Sequence, residues 1–171
     1  MPLILNGTPG GTAIGTATPG AILQIVNYQT GAVANGSTQI PTDDTIPQNT
    51  EGNQYMSLAI TPLSASSKLR IQTVAYGTTN SGAGTATMAL FRDSIASALA
   101  AALFTHSATG YLFPLTIDHI MSSPGTSATT FKVRIGPNTA IAYVFNGASD
   151  GTSRYFGGVM SSTITITEYM P

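Results

Sequence analysis

The sequence predicts an all-β protein: an antiparallel, jelly-roll-like β-sandwich preceded by an extended N-terminal arm. Three observations predict it. Apolar and polar residues alternate with period 2 through most of the chain, as they do in half-buried strands. Clusters of Gly, Pro, Asn and Ser punctuate the alternating runs at short intervals. The runs number seven or eight, which suits two packed sheets.

The arm is residues 1–20, Met-Pro-Leu-Ile-Leu-Asn-Gly-Thr-Pro-Gly-Gly-Thr-Ala-Ile-Gly-Thr-Ala-Thr-Pro-Gly. Gly and Pro are too dense there for a helix or strand to extend. Its opening apolar residues are few and lack a basic flank, unlike a secretory signal. The sandwich domain is residues 21–171. Ile22 to Tyr28 reads as its first strand. Tyr55 to Thr61 places Met56, Leu58 and Ile60 on one face. Lys68 to Tyr76 places Leu69, Ile71, Thr73 and Ala75 on one face and Lys68, Arg70, Gln72, Val74 and Tyr76 on the other. Thr85 to Arg92 and Tyr111 to Met121 follow. In Thr130 to Ile135, the apolar row is Phe131, Val133 and Ile135. Thr139 to Asn146 precedes the clearest run, Ser161 to Tyr169, where Ile164, Ile166 and Glu168 oppose Thr163, Thr165, Thr167 and Tyr169. Asn35-Gly36, Asn80-Ser81-Gly82, Ser123-Pro124-Gly125, Gly136-Pro137-Asn138 and Asn146-Gly147 supply turn chemistry between these runs.

One segment conflicts with the pattern. Asp93 to Leu103 is rich in helix formers and has N-cap residues at Asp93 and Ser94, so propensity alone predicts a short helix. An all-β setting predicts instead a turn at Arg92-Asp93-Ser94 and then an Ala-rich strand, leaving Ile95–Leu103 open between helix and strand.

Composition narrows the function. Only 8% of the 171 residues are charged and the net charge is −1, against about 25% charged in an ordinary soluble domain. No basic field exists to hold a phosphate backbone, which argues against nucleic acid as a partner. No run approaches the roughly 18 apolar residues of a membrane span. Near-zero net charge favours association, so the composition suits a molecule whose surface is largely occupied by neighbours. The absence of cysteine excludes disulfides, thiolate nucleophiles and Cys-based zinc sites.

The chemical motifs have simpler readings. Gly147-Ala148-Ser149-Asp150-Gly151 matches the G-x-S-x-G nucleophile elbow, but no helical pattern follows it and both histidines, His106 and His119, precede it. A surface turn is expected there, and no enzyme activity. Asp118 and His119 are adjacent in a strand and face opposite ways, and His106 has no ligand partner at metal spacing. Asp43 and Asp44, with Glu51, are the one acidic cluster that invites a hard cation, without the usual loop pattern; a solvated loop is expected. Lys68 with Arg70, and Lys132 with Arg134, are read as cross-strand or subunit contacts. Asn6-Gly7-Thr8 and Asn35-Gly36-Ser37 match the glycosylation pattern but suffice as turns. No cofactor is implied.

Several stretches, in order, resemble a family of small virion β-sandwich proteins of tailed bacteriophages, of capsid decoration (cement) or head-fibre type and related to fibre-tip domains. They are Pro19-Gly20-Ala21-Ile22-Leu23-Gln24, Asp43 to Gly52, Ile60-Thr61-Pro62, Ala89-Leu90-Phe91-Arg92-Asp93, Thr130-Phe131-Lys132-Val133-Arg134, Phe145-Asn146-Gly147 and Ser162 to Tyr169. The resemblance spans roughly residues 19–169. It implies a jelly-roll-like fold, commonly trimeric, mounted on the head or tail of the particle, and carries over no catalytic residues; one β-domain with a short arm and no fibrous shaft makes the head the expected place. On it rests the expectation of a homotrimer that binds the major capsid protein of a phage head. Leu3, Ile4, Leu5 and Ile14 of the arm are then the candidate capsid contacts. The alternative is a receptor-binding module recognising a host surface glycan, with Tyr143, Tyr155 and Phe156 as candidate contacts because sugar sites use aromatic faces.

Overall fold

The computed structural model describes residues 18–171; the candidate capsid contacts Leu3, Ile4, Leu5 and Ile14 lie outside them. Among the described residues, ten strands form two antiparallel sheets: β1 (Ile22–Thr30), β2 (Ala34–Gly36), β3 (Asn53–Ile60), β4 (Lys68–Thr79), β5 (Gly84–Arg92), β6 (Ala100–His106), β7 (Phe113–Ser122), β8 (Thr129–Pro137), β9 (Tyr143–Phe145) and β10 (Ser162–Tyr169). One sheet runs β1-β10-β4, with β7 on the far side of β4, and the pair β9-β2 extends the β10 side of β4. The other runs β3-β8-β5-β6. Set aside the two three-residue strands, and eight long ones remain. In chain order the first sheet holds the first, eighth, third and sixth, and the second sheet holds the second, seventh, fourth and fifth. That interleaving is the connectivity of a jelly roll.

Alternation builds the core directly. Leu69, Ile71 and Ala75 of β4, Ile164 and Ile166 of β10, and Leu115 and Ile117 of β7 face Met56, Met88, Leu90, Phe131, Val133 and Ile135 of the opposite sheet, all buried. Close backbone approaches fix the layers at a few glycines. A Cβ on Gly136 would stand 2.5 Å from Thr38 O and 2.9 Å from Ile40 N, so only hydrogen fits there.

Asp93 to Leu103 is not a helix. Asp93 adopts φ 52° in the turn after β5. Its carboxylate accepts from Thr130 N (2.7 Å) and Thr129 Oγ1 (2.8 Å), tying that turn to β8. The chain then bridges Ser97 to Gln48 and enters β6 at Ala100. Pairing Ala100–His106 with β5 satisfies a whole row of backbone groups at a sheet edge, which a short isolated helix does not do; tertiary pairing overrides local propensity. Two further differences are local. Asn35-Gly36 sits in β2, paired with Val144 and Tyr143, rather than in a turn. The strand expected over Thr139 to Asn146 shrinks to Tyr143–Phe145, because Asn80 and Asn138 side chains take up Ala142 N and Thr85 N and hold the preceding residues as a loop.

Candidate interaction surfaces

The outer face of the β1-β10-β4-β7 sheet is a flat, nearly neutral floor. Register places Ile25, Thr167, Arg70 and Ile120 in one row, Asn27, Thr165, Gln72 and Asp118 in the next, and Gln29, Thr163, Val74 and Thr116 beyond. The rows are stitched across strands: Asn27 Nδ2 donates to Thr163 Oγ1 (2.9 Å) and Thr165 Oγ1 (2.8 Å), and Gln29 Nε2 to Ser161 Oγ (2.6 Å). Arg70 forms a bidentate pair with Asp118, and that hydrogen bond holds the carboxyl below its ordinary value. The one ion pair on this face therefore cancels its own charge. Ile22, Ile120 and Tyr169 rim a shallow hollow at the corner where β1 begins.

At the opposite end of β1 stands an apolar tip, Tyr155 to Met160. Phe156 is 74% exposed and Val159 82% exposed. The backbone that displays them is left-handed at three consecutive residues, Phe156 (φ 50°), Gly157 (φ 64°) and Gly158 (φ 94°). Glycine enters that region freely, but a bulky side chain does so at a cost of about 1–3 kcal/mol. Gly158 N–H donating to Tyr155 O (2.9 Å) and the Arg154 side chain packed against Gly158 hold the loop in shape. Gly158 also lies against Gly31, where no Cβ fits. Phe156 and Val159 wall a hollow with Tyr76, Leu112, Met160 and Ser161, and Tyr111 is exposed just before Leu112 in sequence.

The glycan-contact candidates separate here. Tyr155 and Phe156 lie together, ring centroids 6.2 Å apart and tilted by 42°. Tyr143 does not join them. It is fully buried between the sheets, against Tyr55 and Phe113, so no surface ligand reaches it. Its hydroxyl has no hydrogen-bond partner, and burial pushes it well above the ordinary phenol value. Tyr143, Val144 and Phe145 are all buried, so β9 has no outward-facing position.

The remaining polar candidates serve the fold. Ser149 occupies a tight turn: Ala148 N donates to Ser153 O, Gly151 N to Ala148 O, and Gly147 bridges Arg154. The Ser153 side chain, and then the N–H groups of Ser153 (2.8 Å) and Thr152 (2.9 Å), hydrogen-bond to Asp150 and lower its carboxyl to about 2. Among the described residues neither histidine is hydrogen-bonded to Ser149: His106 is buried, its Nε2 3.1 Å from Thr79 Oγ1 and its Nδ1 3.2 Å from Ala108 O. Asp118 faces out toward Arg70 while His119 is half-buried on the other side of β7. Asp43 accepts from Thr45 N and Thr45 Oγ1, and Glu51 from Gln48 N, each capping its own turn. Among the described residues, no group of three or more His, Asp or Glu side chains is placed to hold a metal ion. Lys132 donates to Asp93 O and Arg134 to Glu51 O and Gly52 O, on the other sheet from Lys68 and Arg70, so the four cations make no common patch.

Alternation alone did not assign a role to Glu168, which ends the buried row of β10 and is fully inaccessible. Its two oxygens accept from Ser67 Oγ (2.6 Å), Gln24 Nε2 (2.6 Å), Leu63 N and Ser64 N. Burial pushes its pKa up, but these hydrogen bonds outweigh it and leave the carboxyl below its ordinary value. The carboxylate thereby locks the β3–β4 loop to the start of β1.

No protein-family model matches the chain, and no curated protein matches it. Among solved structures it is similar to dimeric latent PorU from Porphyromonas gingivalis, with 12% identity, a TM-score of 0.43, and 96% of this chain aligned to 14% of that one. It is also similar to VP2 of infectious bursal disease virus. For the subviral particle, identity is 14% and the TM-score 0.37, with 88% of this chain aligned to 39% of that one. For the Gx strain, identity is 14% and the TM-score 0.36, with 86% aligned to 38%. The chain thus spans well under two thirds of each of these proteins. At such identities and scores the function has to be argued from the chain's own surface.

Proposed function

We propose that the protein is a non-enzymatic structural subunit of a virion, a capsid decoration protein that stabilises the head shell of a bacteriophage as a homotrimer. The observation that carries this reading is the apolar tip. A loop held in left-handed backbone displays Phe156 and Val159 almost fully to solvent, on a domain with 8% charged residues. Backbone strain of this kind persists where the displayed side chain has work to do, and an exposed aromatic preorganised by its loop is the usual anchor of a protein interface. The tip's hollow is walled by Leu112, Phe156, Val159 and Met160, with Ser161 and the Tyr76 hydroxyl as its polar groups, which suits an apolar protein surface. The jelly roll itself supports the reading only broadly, since capsid and lectin domains share it.

In this reading the tips meet at the threefold axis, and the arm, through Leu3, Ile4, Leu5 and Ile14, adheres to the major capsid protein. Light scattering of the full chain tests the first part. A trimer is expected at micromolar concentration, and Phe156→Ser with Val159→Ser should shift it toward monomer while the circular dichroism spectrum stays that of the folded domain. A wild-type monomer sinks the trimer. Deleting residues 1–18 should leave the trimer intact and abolish binding to undecorated shells; undiminished binding removes the arm from the mechanism.

The second reading, a glycan-binding module at a fibre tip, is favoured by one observation, the Tyr155–Phe156 aromatic pair beside an open hollow. It predicts that isolated protein binds host cells and that Phe156→Ala abolishes this binding.

A further inference from the structure

We propose that the free edge of β1 is a pairing site for a second copy of this chain, β1 running antiparallel to β1 across a twofold axis. The proposal rests on the self-associating reading above and adds a contact distinct from the tip, a weaker one that joins trimer to trimer at concentrations above those that form the trimer.

β1 pairs with β10 along one side only, and among the described residues no backbone hydrogen bond engages its other side. A strand of nine residues, about 30 Å long at 3.4 Å per residue, thus leaves its outward donors and acceptors without a strand partner among the described residues. Soluble proteins protect such an edge with charge, proline, a bulge or a cover. β1 reads Ile22-Leu23-Gln24-Ile25-Val26-Asn27-Tyr28-Gln29-Thr30, with no charged residue and no proline. Its one bulge, between Ile22 and Gln24, leaves Gln24–Thr30 in regular register. The opposite edge of the same sheet, β7, is protected: Pro114 lacks an N–H. β3, at the neighbouring corner, is bulged between Gln54 and Met56 and exposes no large apolar side chain. β1 is longer than β3 or β6 and exposes Ile22, Ile25 and Tyr28, with Leu63 exposed beside it on the loop that Glu168 anchors.

Only an extended segment satisfies a row of backbone donors and acceptors, and three features name the segment. Every copy carries this edge. A net charge of −1 and an uncharged strand set no repulsion against self-pairing. An antiparallel contact of a strand with itself is isologous, so one surface supplies both halves and the contact closes. The result is one continuous sheet across two molecules, its outer floor of Asn, Gln and Thr running through the junction.

The chain has no cysteine, so a single introduced thiol reports only on the contact in question. Ile25→Cys, Asn27→Cys and Gln29→Cys, each alone in the full chain, are treated with a short bifunctional thiol reagent, with Thr116→Cys on β7 as the control. A twofold antiparallel contact brings a residue beside its own copy only near the axis. Dimer yield should therefore peak at one β1 position, fall steeply within four residues of it, and be absent for Thr116→Cys. Equal yields at all four positions, or none at any of them while light scattering still shows an oligomer, would overturn the β1 contact and leave the self-associating reading standing. A monomeric wild-type chain would overturn both. Loss of association on deleting residues 1–17, with no β1 cross-link in the full chain, would assign the edge to the arm and overturn the twofold pairing.

Discussion

Replacing Glu168 by Gln keeps the shape of the side chain and removes its charge, and the structure fixes what that change disturbs. Oε1 accepts from Ser67 Oγ, Leu63 N and Ser64 N, and Oε2 accepts from Gln24 Nε2 and Leu63 N. A carboxamide offers one acceptor oxygen. Placed at Oε1, it keeps three bonds as a neutral acceptor, and its NH2 then confronts the Gln24 amide, which must turn over. Hydrogen bonds to an ionised acceptor are about twice as strong as neutral ones, whose net contribution is about 1 kcal/mol. Three bonds so weakened, less the relief of no longer burying a charge, give a net loss of about 1–3 kcal/mol. At about 2–4 °C per kcal/mol for a domain of this size, Tm should fall by roughly 3–10 °C at pH 7. The pH dependence carries the sign. The folded-state carboxyl lies below its ordinary value of 4.5, so its contribution is fully present above that value and is lost as pH falls through the lower folded value. Glu168→Gln has nothing to titrate there. Scanning calorimetry of both proteins from pH 7 to pH 3 should show a Tm gap that is constant down to the ordinary carboxyl range and narrows below it. Other depressed carboxyls, at Asp43, Asp118 and Asp150, titrate in both proteins and cancel in the difference. A gap under about 1 °C at pH 7, or one that does not change with pH, would refute the assignment of Glu168 as the lock on the β3–β4 loop.

Three further substitutions probe the fold. Tyr143→Phe removes a buried hydroxyl without a partner, so Tm by circular dichroism should hold or rise, with a gain of up to about 1 kcal/mol; a loss above about 2 kcal/mol would mean that the hydroxyl is bonded. Asn146→Ala removes the donor to Thr30 O and Ala32 O and the acceptor for Ser162 Oγ, at φ 53°; urea denaturation should show a loss of about 2–4 kcal/mol. Gly136→Ala drives a methyl into the Thr38 and Ile40 backbone and should cost more than the about 1 kcal/mol gain that Gly→Ala brings at an open site, read as a lower urea midpoint with an unchanged slope.

Legibility divides along physical lines. Strands whose side chains meet the core on one face and solvent on the other announced themselves, because period-2 alternation is a local consequence of the pleat. Leu69, Ile71 and Ala75, or Phe131, Val133 and Ile135, fall on the predicted row and are buried. β9 is buried on both faces, so Tyr143, a candidate sugar contact by its aromatic ring, lies in the core instead. Ile95–Leu103 stayed open between helix and strand because propensity favours the first, while what decides it is the pairing of Ala100–His106 with β5, which residue type does not encode. Glu168 was legible as the end of an apolar row, yet its partners Leu63, Ser64, Ser67 and Gln24 lie about a hundred or more residues away.

The sequence by itself determined the class of fold, the inward rows of the strands and the shortage of charge, since each follows from residue type and spacing along one strand. Tertiary structure alone decided which strands became edges, which loop carries Phe156 outward on left-handed backbone, and which polar groups meet in the interior. Those outcomes depend on contacts between segments far apart in the chain, and no local window of residues encodes which distant segment will arrive.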